Sequence, residues 1–267
     1  YIVIDEVGQV PLVTTIAVSE STQNLVLIGD PNQLPQVRNG AHPNGNGVST
    51  LEHLIGESTT LPKDKGLFLN TTYRMHDDIN SFISSYFYDD KLLSHSDTNL
   101  RYLKNKDSDF KSTGIEFVSV PHKGNTQESQ EEVEAVNKII NKLLNSTIVE
   151  QSKERNVVED DILVVSPYNL QVFEISKKLG DKFKVGTVDK FQGQEAPIVI
   201  VSLAASNYEE APRGIDFILN FNRMNVALSR SQCLSIVVGS PDLTHLRHQS
   251  LNSIRLTNFH RTLMNSN

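Results

Sequence analysis

The chain has a single cysteine and no tryptophan. One thiol, Cys233, excludes an intramolecular disulfide and any multi-thiolate metal site. Within Gln232-Cys233-Leu234-Ser235-Ile236-Val237 it reads as buried and inert, which suits a reducing compartment. No apolar run is long enough to cross a bilayer, and no charged-then-apolar leader opens the sequence. Positive charge is also short: 25 Lys and Arg face 32 Asp and Glu, for a net charge of −7. That excludes coating nucleic acid by bulk electrostatics, but not a local groove of amides and hydroxyls holding phosphates. His245 and His248 could share a helical face, yet they lack the Cys or carboxylate partners of a metal site. No Gly-x-x-x-x-Gly-Lys-Ser/Thr loop and no fixed-period repeat occurs.

What is present is ordinary globular composition, 38% hydrophobic and 21% charged over 267 residues, enough for one large domain or two modest ones. Short apolar runs read as buried parallel strands: Tyr1–Ile4, Leu25–Ile28, Ile115–Val120, Ile162–Val165, Val185–Val188, Ile198–Leu203 and Leu234–Val238. Between them, helices are expected over Ser49–Ile55, Asp77–Tyr86, Glu131–Leu144, Leu170–Leu179 and Asn222–Ser229. Val133, Val136, Ile140, Leu143 and Leu144 repeat at helical spacing. The alternation predicts an α/β fold with parallel sheets. Polar Asp97–Thr113 separates two strand groups, and Asn39–Gly47 reads as an exposed loop. After Pro241 a helical tail offers Leu243, Leu246, Leu251, Ile254 and Leu256 for packing.

Chemistry concentrates at strand ends. Tyr1-Ile2-Val3-Ile4 runs into Asp5-Glu6, two carboxylates where α/β sheets bind ligands. Taken alone, such a pair is better read as two solvated or helix-capping acids. The next strand runs into Gly29-Asp30-Pro31-Asn32-Gln33-Leu34-Pro35, where a Gln amide can donate to a phosphate or accept from a water.

These two segments resemble motifs II and III of superfamily 1 helicases, and further motifs follow in family order. Leu69-Asn70-Thr71-Thr72-Tyr73-Arg74-Met75-His76 resembles motif IV of the group that includes the nonsense-mediated-decay helicase. Ser166-Pro167-Tyr168-Asn169-Leu170-Gln171 resembles that group's next loop. Gly186–Glu195, with Thr187-Val188-Asp189-Lys190-Phe191-Gln192-Gly193-Gln194, is similar to motif V, and Asn222–Arg230 to motif VI. The stretch between, with Ala211-Pro212-Arg213-Gly214, also resembles helicases fused to a RecB-like nuclease.

The resemblance implies RecA-like parallel sheets with helices on both faces: a partial unit over 1–69, a complete one over 70–240 and a helical tail over 241–267. It implies ATP and Mg²⁺ as cofactors, with Asp5 holding the metal and Glu6 orienting the attacking water. Gln33, Arg74 and Arg230 would complete the catalytic set, and Gly29, Asp30, Tyr73, Gly193 and Glu195 would line the nucleotide. Pro167, Tyr168, Thr187 and Gln192 would meet single-stranded nucleic acid, DNA or RNA, moving 5′-to-3′. Tyr168 is equally a candidate for the core.

The missing phosphate loop, and a start at Tyr1 inside a strand, predict a piece of a longer polypeptide whose N-terminal part is its partner. This chain alone would then not hydrolyse ATP. An intracellular location is expected, cytoplasmic or nucleoid-associated, or nuclear in a eukaryote. The alternative is a helicase-like binding or regulatory module that lost catalysis. An unrelated hydrolase would need an activated nucleophile, and neither Ser166 nor Ser202 lies in a nucleophile elbow.

Overall fold

The computed structural model describes residues 1–36, 47–56, 58, 60–105, 110–244 and 250–266. Its first half runs β1 (Ile2–Ile4), α1 (Leu12–Ser19), β2 (Leu25–Leu27), α2 (Thr50–Ile55), β3 (Thr71–Thr72), α3 (Asp77–Phe87), β4 (Leu93–Ser94), β5 (Arg101–Lys104) and β6 (Gly114–Ser119). Next come α4 (Gln130–Leu143), β7 (Thr147–Glu150), β8 (Lys153–Asn156), β9 (Ile162–Val165), α5 (Asn169–Leu179) and β10 (Lys184–Gly186). The chain closes with β11 (Ala196–Ser202), α6 (Ile215–Ile218), α7 (Phe221–Leu228), β12 (Ser231–Gly239) and α8 (Leu251–Met264). Among the described residues no helix is long and apolar enough to cross a membrane.

The centre is a five-stranded sheet in the order β10-β9-β11-β12-β6, parallel throughout. Side chains alternate between its faces with period two, so a strand buried on both sides needs an unbroken apolar run. On β11, Val199 and Val201 join one core while Ile198 and Ile200 join the other. On β9, Leu163 and Val165 part in the same way from Ile162 and Val164. Helix α4 covers one face. Ser129 caps it by accepting from the Glu132 N–H, and Val133, Val136, Ile139, Ile140 and Leu143 are buried along it. Each such side chain stabilises the fold by about 1.5–3 kcal/mol. The other face takes α3, α7 and α8, whose Ile79, Ile83, Met224, Leu228 and Phe259 fill the second core. This is a parallel sheet with helices on both faces, as the resemblance implied.

Before residue 70 the picture changes. Strands β1 and β2 form a two-stranded parallel sheet, with a small core of Val7, Leu51 and Ile55. Both strands were expected to be buried, yet Val3 is 61% and Val26 43% exposed, with Val13 and Ile16 of α1 bare as well. The apolar pattern does mark strands, but among the described residues nothing covers the outer faces at Val3 and Val26.

Other expectations need correction. Asp97–Thr113 is not a plain polar spacer: it carries β5, which pairs antiparallel with β7, and β7 with β8. The signal was hidden because only Leu103 of Arg101–Lys104 faces a core. The two-residue strands β3 and β4 are too short to show a period. In the tail Leu243 and Leu256 are buried, but Leu251 is 82% and Ile254 40% exposed. Leu246, His245 and His248 lie outside the described residues, as does Asn39–Gly47 apart from Gly47.

Candidate functional site

Two walls face each other where the small sheet meets the large one. The first carries the carboxylates. Asp5 and Glu6 leave the end of β1 exposed, and Asp5 accepts from the Glu6 N–H at 2.8 Å. Glu6 has φ 52°, the left-handed region that a non-glycine residue adopts at a cost of roughly 1–2 kcal/mol. The loops after β1 and β2 are locked together, for the Val7 N–H donates to the Ile28 carbonyl at 2.9 Å. Gly29 permits that approach: a Cβ there would lie 2.9 Å from Val7 Cγ1 and 3.1 Å from two backbone nitrogens. Gln33 does not point freely into the cleft; its Nε2 donates to the Asp30 carboxylate at 3.0 Å.

The second wall carries the cations. Arg74 precedes α3, and its Nε donates to Glu195 at 2.6 Å while its Nη1 donates to the Ser229 carbonyl at 3.2 Å. Gln232 donates to the other Glu195 oxygen at 2.9 Å. Burial would raise the Glu195 carboxyl, but the Arg74 bond and charge outweigh it and hold it below the ordinary value. Arg230, just past α7, is only 4% exposed. Its donors reach main-chain carbonyls alone, those of Val226 at 3.1 Å and Gln194 at 3.4 Å. Among the described residues it has no ion pair. Burial pulls its guanidinium down to about 10, neighbouring Arg74 adds to this, and Glu6, Tyr88 and Glu195 oppose it. A buried cation without a counter-ion is unfavourable unless an anion arrives. An anionic oxygen between Arg74, Arg230 and Glu6 would meet that need. Tyr73 stands beside this wall, 67% exposed and stacked on His95 at 4.6 Å.

A latch joins the walls. The Tyr88 hydroxyl donates to Asp30 at 2.6 Å and accepts from Asn225 at 2.9 Å. Asn225 also donates to the Asn32 carbonyl at 2.8 Å. Asn222 donates to the carbonyls of Pro31, at 3.1 Å, and Gln33. Burial and the Asp30 charge push the Tyr88 phenol far above its ordinary value, so it stays a donor. The latch was not anticipated as a unit. Asn222 and Asn225 were visible at i, i+3 spacing, which places both on one helical face. Nothing in the sequence marks Tyr88.

The residues expected at nucleic acid gather at the ends of β9 and β10. The Ser166 N–H donates to the Gly186 carbonyl at 3.1 Å, which brings the loops bearing Pro167 and Thr187 side by side. Pro167, Thr187 and Gln192 are half-buried, and Gly193 adopts φ 79° at the exposed end of that loop. Tyr168 is 4% exposed and joins the core, so its ring is not presented to solvent.

Ser166 and Ser202 are both fully buried, and Ser202 donates to Glu132 at 2.6 Å. Glu132 also bonds His122 at 3.0 Å and accepts from the Ala204 N–H. This unforeseen network fixes the loop after β11, where Ala204 has φ 70°.

The chain is similar to known proteins. Residues 47–242 match the family described as AAA domain. The chain is 31% identical over 265 residues to DNA polymerase alpha-associated DNA helicase A of Saccharomyces cerevisiae, covering 90% of this chain and 38% of that protein. It is 27% identical over 261 residues to DNA replication ATP-dependent helicase/nuclease dna2 of Schizosaccharomyces pombe, covering 90% of this chain and 18% of that protein. Among solved structures, an arterivirus nonstructural protein 10 helicase with DNA overlaps 90% of this chain and 39% of its own at 17% identity and TM-score 0.44. The chain thus spans less than two-fifths of each of these proteins.

Proposed function

The chain belongs to the AAA domain family, with superfamily 1 helicases among its relatives, and on that basis we propose that it is the C-terminal part of an ATP-driven translocase on single-stranded nucleic acid. The observation that carries this reading is the buried, unpaired Arg230 beside Arg74, opposite Glu6. Residues 1–69 are the end of a first RecA-like unit, 70–240 a second and 241–267 a packed tail. A preceding part of the same polypeptide supplies the phosphate loop and covers the exposed apolar surface of β1, β2 and α1.

The residues present fit ATP and magnesium. Arg230 lacks an anion, and Asp5 offers an exposed carboxylate outside any three-residue metal cluster among the described residues. One carboxylate suits Mg²⁺, which keeps several waters and otherwise takes phosphate oxygens. When bound, ATP with its metal supplies the phosphoryl group transferred to water. Glu6 orients that water and accepts its proton, while Arg74 and Arg230 balance charge on the transferring group. Glu195 holds Arg74 in place, and Gln33, steered by Asp30, reports the state of the phosphate end. The latch of Tyr88, Asn222 and Asn225 carries that state between the units, so that opening and closing move the strand contacts at Pro167, Thr187 and Gln192.

The test is phosphate release by the polypeptide extended upstream through its reading frame, with and without oligo-dT or oligo-rU. Strand-stimulated release that Glu6→Gln abolishes supports the reading. An extended protein that releases no phosphate, whether or not it binds a strand, would leave the catalytically inactive helicase-like nucleic-acid-binding or regulatory module standing instead.

A further inference from the structure

Away from the nucleotide cleft, one aromatic ring gathers two cations. Phe217 of α6 is half-buried. The Arg213 guanidinium carbon lies 3.7 Å from its ring centroid and that of Arg223 4.4 Å away. Neither side chain has an ion-pair partner among the described residues. The Tyr168 ring stands 5.3 Å from the same Phe217 ring.

Tyr168, from the loop after β9, and Arg223, in the first turn of α7, therefore meet at Phe217. Asp189, in the turn after Thr187, lies near enough for its charge to act on Arg223. Burial lowers the Arg223 guanidinium, Asp189 opposes that, and Arg213 reinforces it. Two like charges on one ring repel, and a cation–π contact at an exposed site returns little to offset that. A phosphodiester would relieve the repulsion and satisfy both planar forks, which match phosphate geometry better than an ammonium does. In a chain of net charge −7 this pair is a local exception.

We infer that Arg213, Phe217 and Arg223 form a phosphodiester subsite for a single strand, continuing the line from Pro167 and Thr187. The inference rests on the single-strand reading above. Both guanidinium groups lie against the Phe217 ring, and Arg213, exposed to solvent, is the outer contact. Phosphate contacts of this kind do not separate DNA from RNA.

The experiment is fluorescence anisotropy of this chain with labelled oligo-dT and oligo-rU over a salt series. Taking one arginine away from the strand should flatten the slope of log affinity against log salt by about 0.7, since fewer counterions are released. Arg213→Gln and Arg223→Gln should each show that change equally in both strands, and the double variant about 1.4. Lys153→Gln, which removes an exposed charge elsewhere, should change nothing. Arg213 is exposed, so Arg213→Gln should keep the wild-type melting midpoint and test the site even if Arg223→Gln fails to fold. Wild-type slopes in Arg213→Gln, or a chain that binds neither strand, overturn the subsite. A change confined to one strand type overturns its assignment to phosphate. Strand-stimulated hydrolysis by the extended protein, abolished in Glu6→Gln yet unchanged in Arg213→Gln, would sink this inference alone and leave the motor reading intact.

Discussion

The two walls of the cleft are built to different standards. The arginine wall stands on a five-stranded sheet with a core on each face. The carboxylate wall stands on two three-residue strands with no fully buried residue, whose central Val3 and Val26 are exposed. Rigid elements hold catalytic groups best when their own side chains are packed. Here Arg74 and Arg230 stand on packed elements, whereas Asp5 and Glu6 stand on strands whose Val3 and Val26 are exposed.

The largest effect should come from the better-built wall. In the extended protein, Arg230→Ala should lower strand-stimulated hydrolysis by about 10³–10⁵, as expected for a cation that balances charge on a transferring phosphoryl group. A single-turnover assay would measure it, and a loss below tenfold would show that Arg230 does not face the phosphate.

Stability substitutions sharpen the same contrast. Ile200→Ala, at the fully buried centre of β11, should destabilise the chain by about 2–5 kcal/mol in urea titrations. Val26→Ala on β2, 43% exposed, should cost within about 0.5 kcal/mol. Equal costs would mean that the small sheet is already packed in solution.

The latch between the walls comes next. Tyr88→Phe removes the donor to Asp30 and the acceptor for Asn225, leaving both short of a partner. A loss of about 1–3 kcal/mol is expected from the melting midpoint. No change would show that the two walls are not held together as described.

The smallest effect is at Cys233. Burial pushes its thiol up to about 12 from an ordinary 9.0. Keeping the thiol neutral therefore contributes stability that is fully present below pH 9 and is lost as pH rises toward 12. Near neutrality the folded chain should resist a thiol-specific reagent and react only at its global unfolding rate. Rapid labelling would indicate an open edge at β12.

The same contrast explains what was legible in the sequence. The apolar runs of β9, β11 and β12 announced a doubly buried parallel sheet because burial on both faces leaves no room for polar residues. Arg74, Glu195 and Arg230 were legible as motif residues, and their convergence needed only the fold. Strands β5, β7 and β8 were not legible, since an edge sheet with one buried face tolerates Arg, Lys and Glu. Tyr88 was invisible for another reason: its partners Asp30 and Asn225 lie 58 and 137 residues away along the chain. Val3 and Val26 misled, because their apolar pattern marks strands correctly while among the described residues they stay 61% and 43% exposed.

The most direct measurement is phosphate release from the chain alone and from the upstream-extended protein, side by side, with oligo-dT. The account predicts no release above buffer from the chain alone and stimulated release from the extended protein. Stimulated release from the chain alone that Glu6→Gln removes, or none from an extended protein that binds ATP, would contradict it.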